Sequence, residues 1–305
     1  MMAGESVLSG LGKQKIFDGL KIRDSIRRLQ PCSYIDVDLI LPQRQSLGGM
    51  TMIAEAIKGF QTVTPYLTAI EAEALIEFVK KAFDGQEIFR GTGSAGGIHC
   101  EIRINDSTMM IGGGGAWKGP AMPGAIHLYV NDVDAVYQRS LEFGATPLMP
   151  PTDQEYGDRD SAVRDLAGNH WYIATHKGTT AVPQGMRSVT PYLHPKGAAD
   201  LIGFMQKAFG AKELDVHHSP QGTVDHAKLS IGDSTIEVGE AHGQWQAMPM
   251  TLFLYVDHVD DLYAQALRAG AASVSEPADQ AWGARSAGVK DPHENVWYIA
   301  TPIKQ

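Results

Sequence analysis

The sequence predicts an α+β fold of two tandem domains, each a cup-like, mostly antiparallel sheet with helices on its outer face. The chain repeats itself: VTPYL at Val63 returns at Val189, and HLYVNDVDAVY at His127 returns as FLYVDHVDDLY at Phe253. Each repeat also contains two helix patterns separated by strand patterns, which indicates two βαβββ units. Because two helices cannot cover both faces of so many strands, one face should stay open for a small molecule.

The repeats place the domains at residues 61–178 and 187–305, joined by the Gly- and Pro-containing segment KGTTAVPQGMRS. Residues 1–60 do not repeat and are interpreted as an N-terminal extension. Within it, YIDVDLIL at Tyr34 is strand-like and TMIAEAIKGF at Thr51 is helix-like. The basic stretch from Ile22 can be a membrane or partner contact, although a solvated face is favoured.

Within each repeat the elements follow in a fixed order. The first helix is predicted from apolar residues at helical spacing, namely Ala72, Leu75, Ile76, Val79 and Phe83. The second helix should begin after Asp132 as its N-cap and end at Gly144. The segments GIHCEIRI, STMMIGG, AIHLYV and HWYIAT read as strands. The second repeat carries equivalent patterns.

Composition excludes several classes of partner. A net charge of −9 and a pI near 5.6 argue against nucleic acid. No apolar run approaches the roughly 20 residues of a membrane helix, and the N-terminus lacks the apolar core of a secretory signal. The two cysteines, Cys32 and Cys100, have no metal or redox spacing. We therefore expect a cytoplasmic protein with a small-molecule ligand.

The motifs KAFG, DSTIEVG, LYVDHVDD and DP…VWYIAT, together with the doubled βαβββ pattern, resemble the glyoxalase/bleomycin-resistance (vicinal oxygen chelate) superfamily. Within it, the PhnB-like branch is the most similar. The resemblance covers both repeats and implies the fold, and it implies either a monomer with paired domains or a homodimer. It leaves the activity open, because relatives include isomerases, dioxygenases, lyases and drug-sequestering proteins.

Relatives that use a metal carry His, Gln or Glu ligands on the first and fourth strands of each unit. Here those positions hold Thr64, Met110, His127, Tyr172, Thr190, Glu237, Phe253 and Tyr298. Only one of these positions in each repeat holds one of these ligand types, namely His127 in the first and Glu237 in the second. We therefore expect no cofactor. The alternative is one Mn, Fe, Ni or Zn ion on His99, Glu101 and His127, or on His226 and Glu237.

The candidate catalytic residues are His127, His99 and Glu101 as acid or base and Tyr172 as a phenol in the cup. Strand alternation should send Tyr172 and Tyr298 into the cups, and Trp171 and Trp297 into the core. The predicted ligand-binding residues are Met110, Tyr129, Tyr156, Arg159, Trp117, Glu237, Phe253, Tyr255, Trp282 and Tyr298. We expect both Tyr129 and Met110 in the cup of the first repeat, either lining it for a ligand or filling the space between its half-sheets.

Two loops allow alternative interpretations. In DQEYGDR and DQAWGAR, the aromatic residue and the arginine can clamp a ligand, or Arg159 can pair with Asp165 and Arg285 with Asp291 to fix the loop. The glycine-rich segment from Gly112 lacks a phosphate-loop signature and is interpreted as a connection, with Trp117 and Trp245 as candidate lid residues.

The first functional hypothesis is a binding or resistance protein, or a metal-independent lyase or cyclase, that encloses a partly aromatic molecule. The second is a divalent-metal enzyme of glyoxalase or dioxygenase type. In a third, the second repeat is a degenerate scaffold or interaction module. Whether the protein is an enzyme stays open at this level.

Overall fold

A computed structural model describes residues 59–303, so the predictions for the strand at Tyr34, the helix at Thr51 and the basic stretch at Ile22 lie outside the described residues. The first repeat contains β1 (Val63–Ala69), α1 (Ala72–Ala82), β2 (Gln86–Thr92), β3 (Ile98–Ile104), β4 (Ser107–Gly113), β5 (Ala125–Tyr129), α2 (Val133–Glu142), β6 (Thr146–Asp153), β7 (Asp158–Arg164) and β8 (His170–His176). The second contains β9 (Val189–Leu193), α3 (Ala198–Phe209), β10 (Lys212–His218), β11 (Val224–Ile231), β12 (Ser234–Val238), β13 (Thr251–Tyr255), α4 (Val259–Arg268), β14 (Ala272–Asp279), β15 (Ala284–Lys290) and β16 (Val296–Pro302). The predicted βαβββ order is confirmed in all these units, and no helix among the described residues has the length and apolar character to cross a bilayer.

The strands form two eight-stranded, mostly antiparallel sheets that each combine both repeats. Sheet 1 has the order β14-β15-β16-β13-β1-β4-β3-β2, and sheet 2 has the order β10-β11-β12-β9-β5-β8-β7-β6. Sheet 1 thus joins the first unit of repeat one to the last unit of repeat two, and sheet 2 joins the two middle units. The predicted α+β fold of two βαβββ units per repeat is confirmed, but each sheet is shared between the repeats instead of being formed by one of them.

The physical reason lies in the edge strands. Within each unit the first strand has a free edge, and β1 pairs with β13 while β5 pairs with β9, both antiparallel. This pairing satisfies backbone N–H and C=O groups that an open edge would expose to solvent. It also places the fourth-strand residues of one repeat beside the first-strand residues of the other.

The helices cover the opposite faces of the sheets. Phe83, which follows α1, packs on Trp171 of β8 with ring centroids 4.5 Å apart, and Phe209 packs on Trp297 of β16 at 4.7 Å. Both tryptophans are fully buried, which confirms their predicted place in the core. The two units of one repeat therefore share a helical core, although their strands belong to different sheets.

A buried aspartate organises the turn before each closing strand. Asp165 accepts hydrogen bonds from the Trp171 indole at 2.8 Å, the Asn169 amide at 2.8 Å and the backbone of Ala167 at 2.9 Å. Asn169 in turn accepts from the backbone of Gly124. Asp291, Asn295 and Trp297 repeat these side-chain contacts in the second repeat. The segments DLAGN at Asp165 and DPHEN at Asp291, which precede the closing strands, thus form equivalent structural turns.

The predicted pairs Arg159–Asp165 and Arg285–Asp291 are wrong. Arg159 donates to Asp134 of α2 at 2.7 Å and to Asp153 at 3.0 Å, and Arg285 makes the equivalent bonds to Asp260 and Asp279. Alternation along β7 and β15 points both arginines toward the helices, while the aspartates are enclosed by their own turns. Both arginines therefore form ion pairs within their own repeat, with partners other than the predicted ones.

Helix α2 offers a stability prediction with an internal control. The Asp132 side chain accepts from the Ala135 backbone at 3.0 Å, whereas His258 at the same position of α4 makes no side-chain cap bond. Asp132→Ala should lower the free energy of unfolding in urea by about 1 kcal/mol, because a helix N–H loses its acceptor. His258→Ala should change it little, and equal losses for both variants would contradict the capping role.

Candidate functional site

The face of sheet 2 that is opposite the described helices, hereafter its helix-free face within residues 59–303, carries a concentration of ionisable side chains, which we call the ionic cup. Its centre consists of His127 on β5, Glu237 on β12, and His226 and Lys228 on β11. Its aromatic wall consists of Tyr172, Tyr192, His194 and Trp245, and its acidic edge consists of Tyr129, Tyr156, Asp158, Asp160 and His176. Both repeats contribute, because β5–β8 and β9–β12 form this sheet together.

Glu237 contacts each of the three basic residues at the centre of the ionic cup. Its Oε2 lies 2.6 Å from Nδ1 of His127, and its Oε1 lies 3.6 Å from Nε2 of His226 and 3.9 Å from Nζ of Lys228. The Glu237 side chain is only 1% exposed, against 13% for His127. A carboxylate this deeply buried requires the charge that the imidazole supplies.

The two partners shift each other's pKa in opposite directions. Burial alone would lower the pKa of His127, but the facing Glu237 carboxylate outweighs it, and the net shift is upward. Burial alone would raise the pKa of Glu237, but His127 and His226 outweigh it, and the net shift is downward. Both shifts favour the ion pair, in which His127 is protonated and Glu237 is ionised.

An aromatic wall stands beside this ion pair. The ring of Tyr172 lies 5.1 Å from that of Tyr192 and 5.3 Å from that of Trp245, and the rings of Tyr192 and His194 lie 4.4 Å apart. The Tyr172 hydroxyl is 2.9 Å from Nε2 of His194, whose pKa burial lowers to about 4. His194 is therefore neutral at pH 7, and this wall offers ring faces rather than charge.

The acidic edge lies on the other side of His127. Tyr129 stacks on His127 with centroids 4.4 Å apart and donates to Asp158 at 3.1 Å. His176 lies 2.5 Å from the other oxygen of Asp158. Asp160 accepts a hydrogen bond from Tyr156. Burial raises the pKa of Asp160, while the hydrogen bond from Tyr156 and the charge of His127 oppose this shift. The negative charges of Asp158 and Glu237 raise the pKa of Asp160 further.

The face of sheet 1 that no helix of the described residues covers has a different chemistry, and we call it the apolar cup. Met110 and Phe253 occupy the strand positions that hold Glu237 and His127 in sheet 2. The residues Phe60, Tyr66, Met110, Phe253, Tyr255, Ala284 and Ala300 form a cluster separate from the main core. Tyr298 lies 6.5 Å from Phe253, and the half-exposed Trp282 lies 6.2 Å from it, measured between ring centroids.

A polar chain borders the apolar cup. The Tyr66 hydroxyl lies 3.2 Å from Nδ1 of His99, and Nε2 of His99 lies 3.4 Å from Glu101. Burial, and then the neighbouring Tyr298 and Glu101, raise the pKa of Tyr66 to about 12. The sequence correctly placed His99 and Glu101 on one face of β3, with Cys100 and Ile102 buried on the other.

The predicted metal set of His99, Glu101 and His127 is not assembled, because β3 lies in sheet 1 and β5 lies in sheet 2. For the same reason Met110 does not join Tyr129. His226 and Glu237, the alternative set, are in contact. Among residues 59–303, no group of three or more His, Cys, Asp or Glu side chains is arranged to hold a metal ion. The four family ligand positions in sheet 2 hold His127, Tyr172, Thr190 and Glu237, which do not fit the superfamily's metal site.

The predicted loop residues are spread over the molecule. Tyr156 is exposed at the edge of the ionic cup, and Arg159 is engaged by acidic partners on the helix side. Trp117 lines a surface cavity of about 310 Å³ with Ile70 and Lys118, at the turn between β1 and α1. Trp245, in contrast, reaches the ring of Tyr172 in the ionic cup.

Sequence reasoning missed Asp158, Asp160, Tyr192 and His194 as parts of one site. One signal was available: where the ionic cup has Asp158 and Asp160, the other repeat has Ala284 and Ser286. A difference between repeats at positions that share a strand face indicates a difference in function rather than in folding.

Comparisons with known proteins agree with this architecture. A family model described as the Glyoxalase/Bleomycin resistance protein/Dioxygenase superfamily matches residues 61–173 and 195–299. An uncharacterised protein of Mycobacterium bovis is 39% identical over 129 residues, which make up 39% of this chain and 85% of the relative. Glyoxalase I from Zea mays has a similar structure, with a TM-score of 0.58 at 13% identity, over 79% of this chain and 92% of that chain. At that identity the likeness shows the fold alone. Since the family model matches most of both repeats, the chain belongs to the glyoxalase/bleomycin-resistance/dioxygenase superfamily.

Proposed function

We propose that the ionic cup encloses a small molecule with a planar ring and that His127 exchanges a proton with it without a metal. The observation that carries this proposal is the contact of 2.6 Å between His127 and Glu237. In metal-using relatives these two positions hold ligands, and here they neutralise each other. We propose further that the protein acts in binding or resistance, or as a metal-independent enzyme, and that it belongs to the PhnB-like branch.

The geometry limits how His127 can act. Because Nδ1 is bonded to Glu237, a proton can pass to or from a ligand only at Nε2. Glu237 keeps the ring in one orientation and favours the protonated form, so His127 is suited to act as a general acid. The Tyr172 and Tyr192 phenols, whose pKa values burial raises, remain neutral hydrogen-bond donors.

The wall of Tyr172, Tyr192 and Trp245 favours a planar ligand, since stacked or edge-to-face rings contribute beyond the area they bury. The second repeat supplies Glu237, His226 and Trp245, so in this proposal it contributes to the site rather than serving as a scaffold. The protein needs no second copy to complete either sheet, because one chain supplies all four units.

A calorimetric titration with tyrosol, a neutral phenol, tests the proposal. Trp245→Ala should weaken tyrosol binding about ten-fold, because the ligand loses a ring contact worth about 1.4 kcal/mol. Trp282→Ala in the apolar cup is the matched control and should leave the affinity unchanged. Equal affinities for the wild-type protein and Trp245→Ala would contradict the assignment to the ionic cup.

A measurement of metal content distinguishes this proposal from the alternative, a divalent-metal enzyme. Protein purified without a metal-affinity step should bind tyrosol equally well before and after treatment with EDTA. About one tightly bound ion per chain that is lost in His127→Ala would overturn the metal-independent mechanism and favour a metal enzyme.

A further inference from the structure

The carboxylates of the ionic cup differ in how well their charge is balanced. Glu237 has His127, His226 and Lys228 within 4 Å. Asp158 has His176 at 2.5 Å and accepts a hydrogen bond from a phenol. Lys228 stands on β11, and four strands separate it from β7 with Asp160. His226 and Lys228 therefore lie at the β11 side, whereas the β7 side carries Asp158 and Asp160 with His176 as the basic group paired to Asp158.

Asp160 is the exception among these carboxylates. Its Oδ2 accepts a hydrogen bond from the Tyr156 phenol, a neutral partner. Its Oδ1 is buried and has no hydrogen-bond partner among the described residues. Such an atom costs free energy unless something else fills its hydrogen-bonding capacity. The charged neighbours that act on it are His127, Asp158 and Glu237, two of which repel negative charge.

The orientation of Asp160 is toward the cup. Asp160 lies opposite Ala174 of β8 in the antiparallel register, and Ala174 follows Tyr172 by two residues on the same face. Arg159 and Ser161, its neighbours along β7, belong to the other face. A group bound at Oδ1 therefore shares the helix-free face with Tyr129 and with the aromatic wall.

From this imbalance we infer that the ionic cup takes a protonated amine attached to a planar ring, with the ammonium group bound by Asp160. The ammonium supplies the hydrogen-bond donor that Oδ1 lacks and a positively charged partner for Asp160, whose one hydrogen-bond partner among the described residues is the neutral Tyr156 phenol. The exposed phenol ring of Tyr156, which is hydrogen-bonded to Asp160, adds cation–π attraction beside it. The inference rests on the proposed function, since it names the ligand class of the same site.

Three probes that share one ring test the charge requirement: tyramine, an amine; tyrosol, a neutral alcohol; and 4-hydroxyphenylacetate, an anion. By calorimetry tyramine should bind at least about ten-fold more tightly than tyrosol, and the anion should bind more weakly than both. Asp160→Asn should weaken tyramine about 10- to 100-fold while leaving tyrosol nearly unchanged.

Two further variants serve as controls for the Asp160→Asn substitution. Ser286→Asn alters the equivalent position of sheet 1 and should leave all three affinities unchanged. Tyr156→Phe removes the phenol but keeps the carboxylate, so the preference for tyramine should persist. Unchanged tyrosol binding in Asp160→Asn also shows that the variant is folded.

The possible failures are distinguishable. If tyrosol binds but tyramine binds no more tightly, or if Asp160→Asn leaves the tyramine preference intact, the amine inference is overturned and the proposed ring site stands. If none of the three probes binds, the proposed function itself is overturned, and the inference with it.

Discussion

His127→Phe should lower the free energy of unfolding by about 3–5 kcal/mol, one of the two largest losses expected for a single substitution here. The reason is that Glu237, almost fully buried, would keep its charge with only the longer contacts to His226 and Lys228. The double variant His127→Phe/Glu237→Met should recover most of the loss, since it copies the apolar pair Phe253 and Met110 from sheet 1. Urea unfolding of the two single variants and the double variant measures the coupling directly.

The pH dependence follows from the direction of each shift. His127 has a raised pKa in the folded state, so its contribution is complete below its ordinary value of 6.5 and is lost as pH rises through the raised value. Glu237 has a lowered pKa, so its contribution is complete above 4.5 and is lost as pH falls through the lowered value. The stability difference between wild type and double variant should therefore peak between these two pH values. A difference independent of pH would contradict the ion pair.

Trp171→Ala should lower the free energy of unfolding by a similar amount, about 3–5 kcal/mol. The substitution empties a fully buried site, and the surrounding residues can fill the resulting cavity only in part. The indole fills the space beneath Phe83, and its N–H is the donor that Asp165 accepts at 2.8 Å. Removing the indole therefore creates a cavity and also leaves a buried carboxylate with one partner fewer. Chemical unfolding monitored by far-UV circular dichroism measures the loss.

Two other tryptophans act as controls for this substitution. Trp297→Ala should be about as costly, since Trp297 has the same burial and the same aspartate partner. Trp282→Ala should change stability by less than about 0.5 kcal/mol, because Trp282 is half exposed. Similar losses at Trp282 and Trp171 would contradict the division between helical core and cup.

Part of the candidate site can be predicted from the amino-acid sequence alone. Alternation alone separated Tyr172 from Trp171 and His99 from Cys100, because side chains on a strand point to opposite faces in turn. The family ligand positions also led to His127 and Glu237 separately, one in each repeat. The pairing of Arg159 failed because spacing along the chain does not show which acidic residue of another element lies nearest.

The sequence by itself determined the units: four βαβββ modules, the apolar faces of their helices, the faces of their strands and the residue types at the family's ligand positions. These depend on local periodicity, which a repeat displays twice. Only the tertiary structure decided which units share a sheet, because edge pairing between β5 and β9 is a long-range contact with no local signal. That pairing brings His127 of one repeat to Glu237 of the other and leaves Met110 with Phe253. Two repeats with the same order of elements therefore form one ionic and one apolar cup.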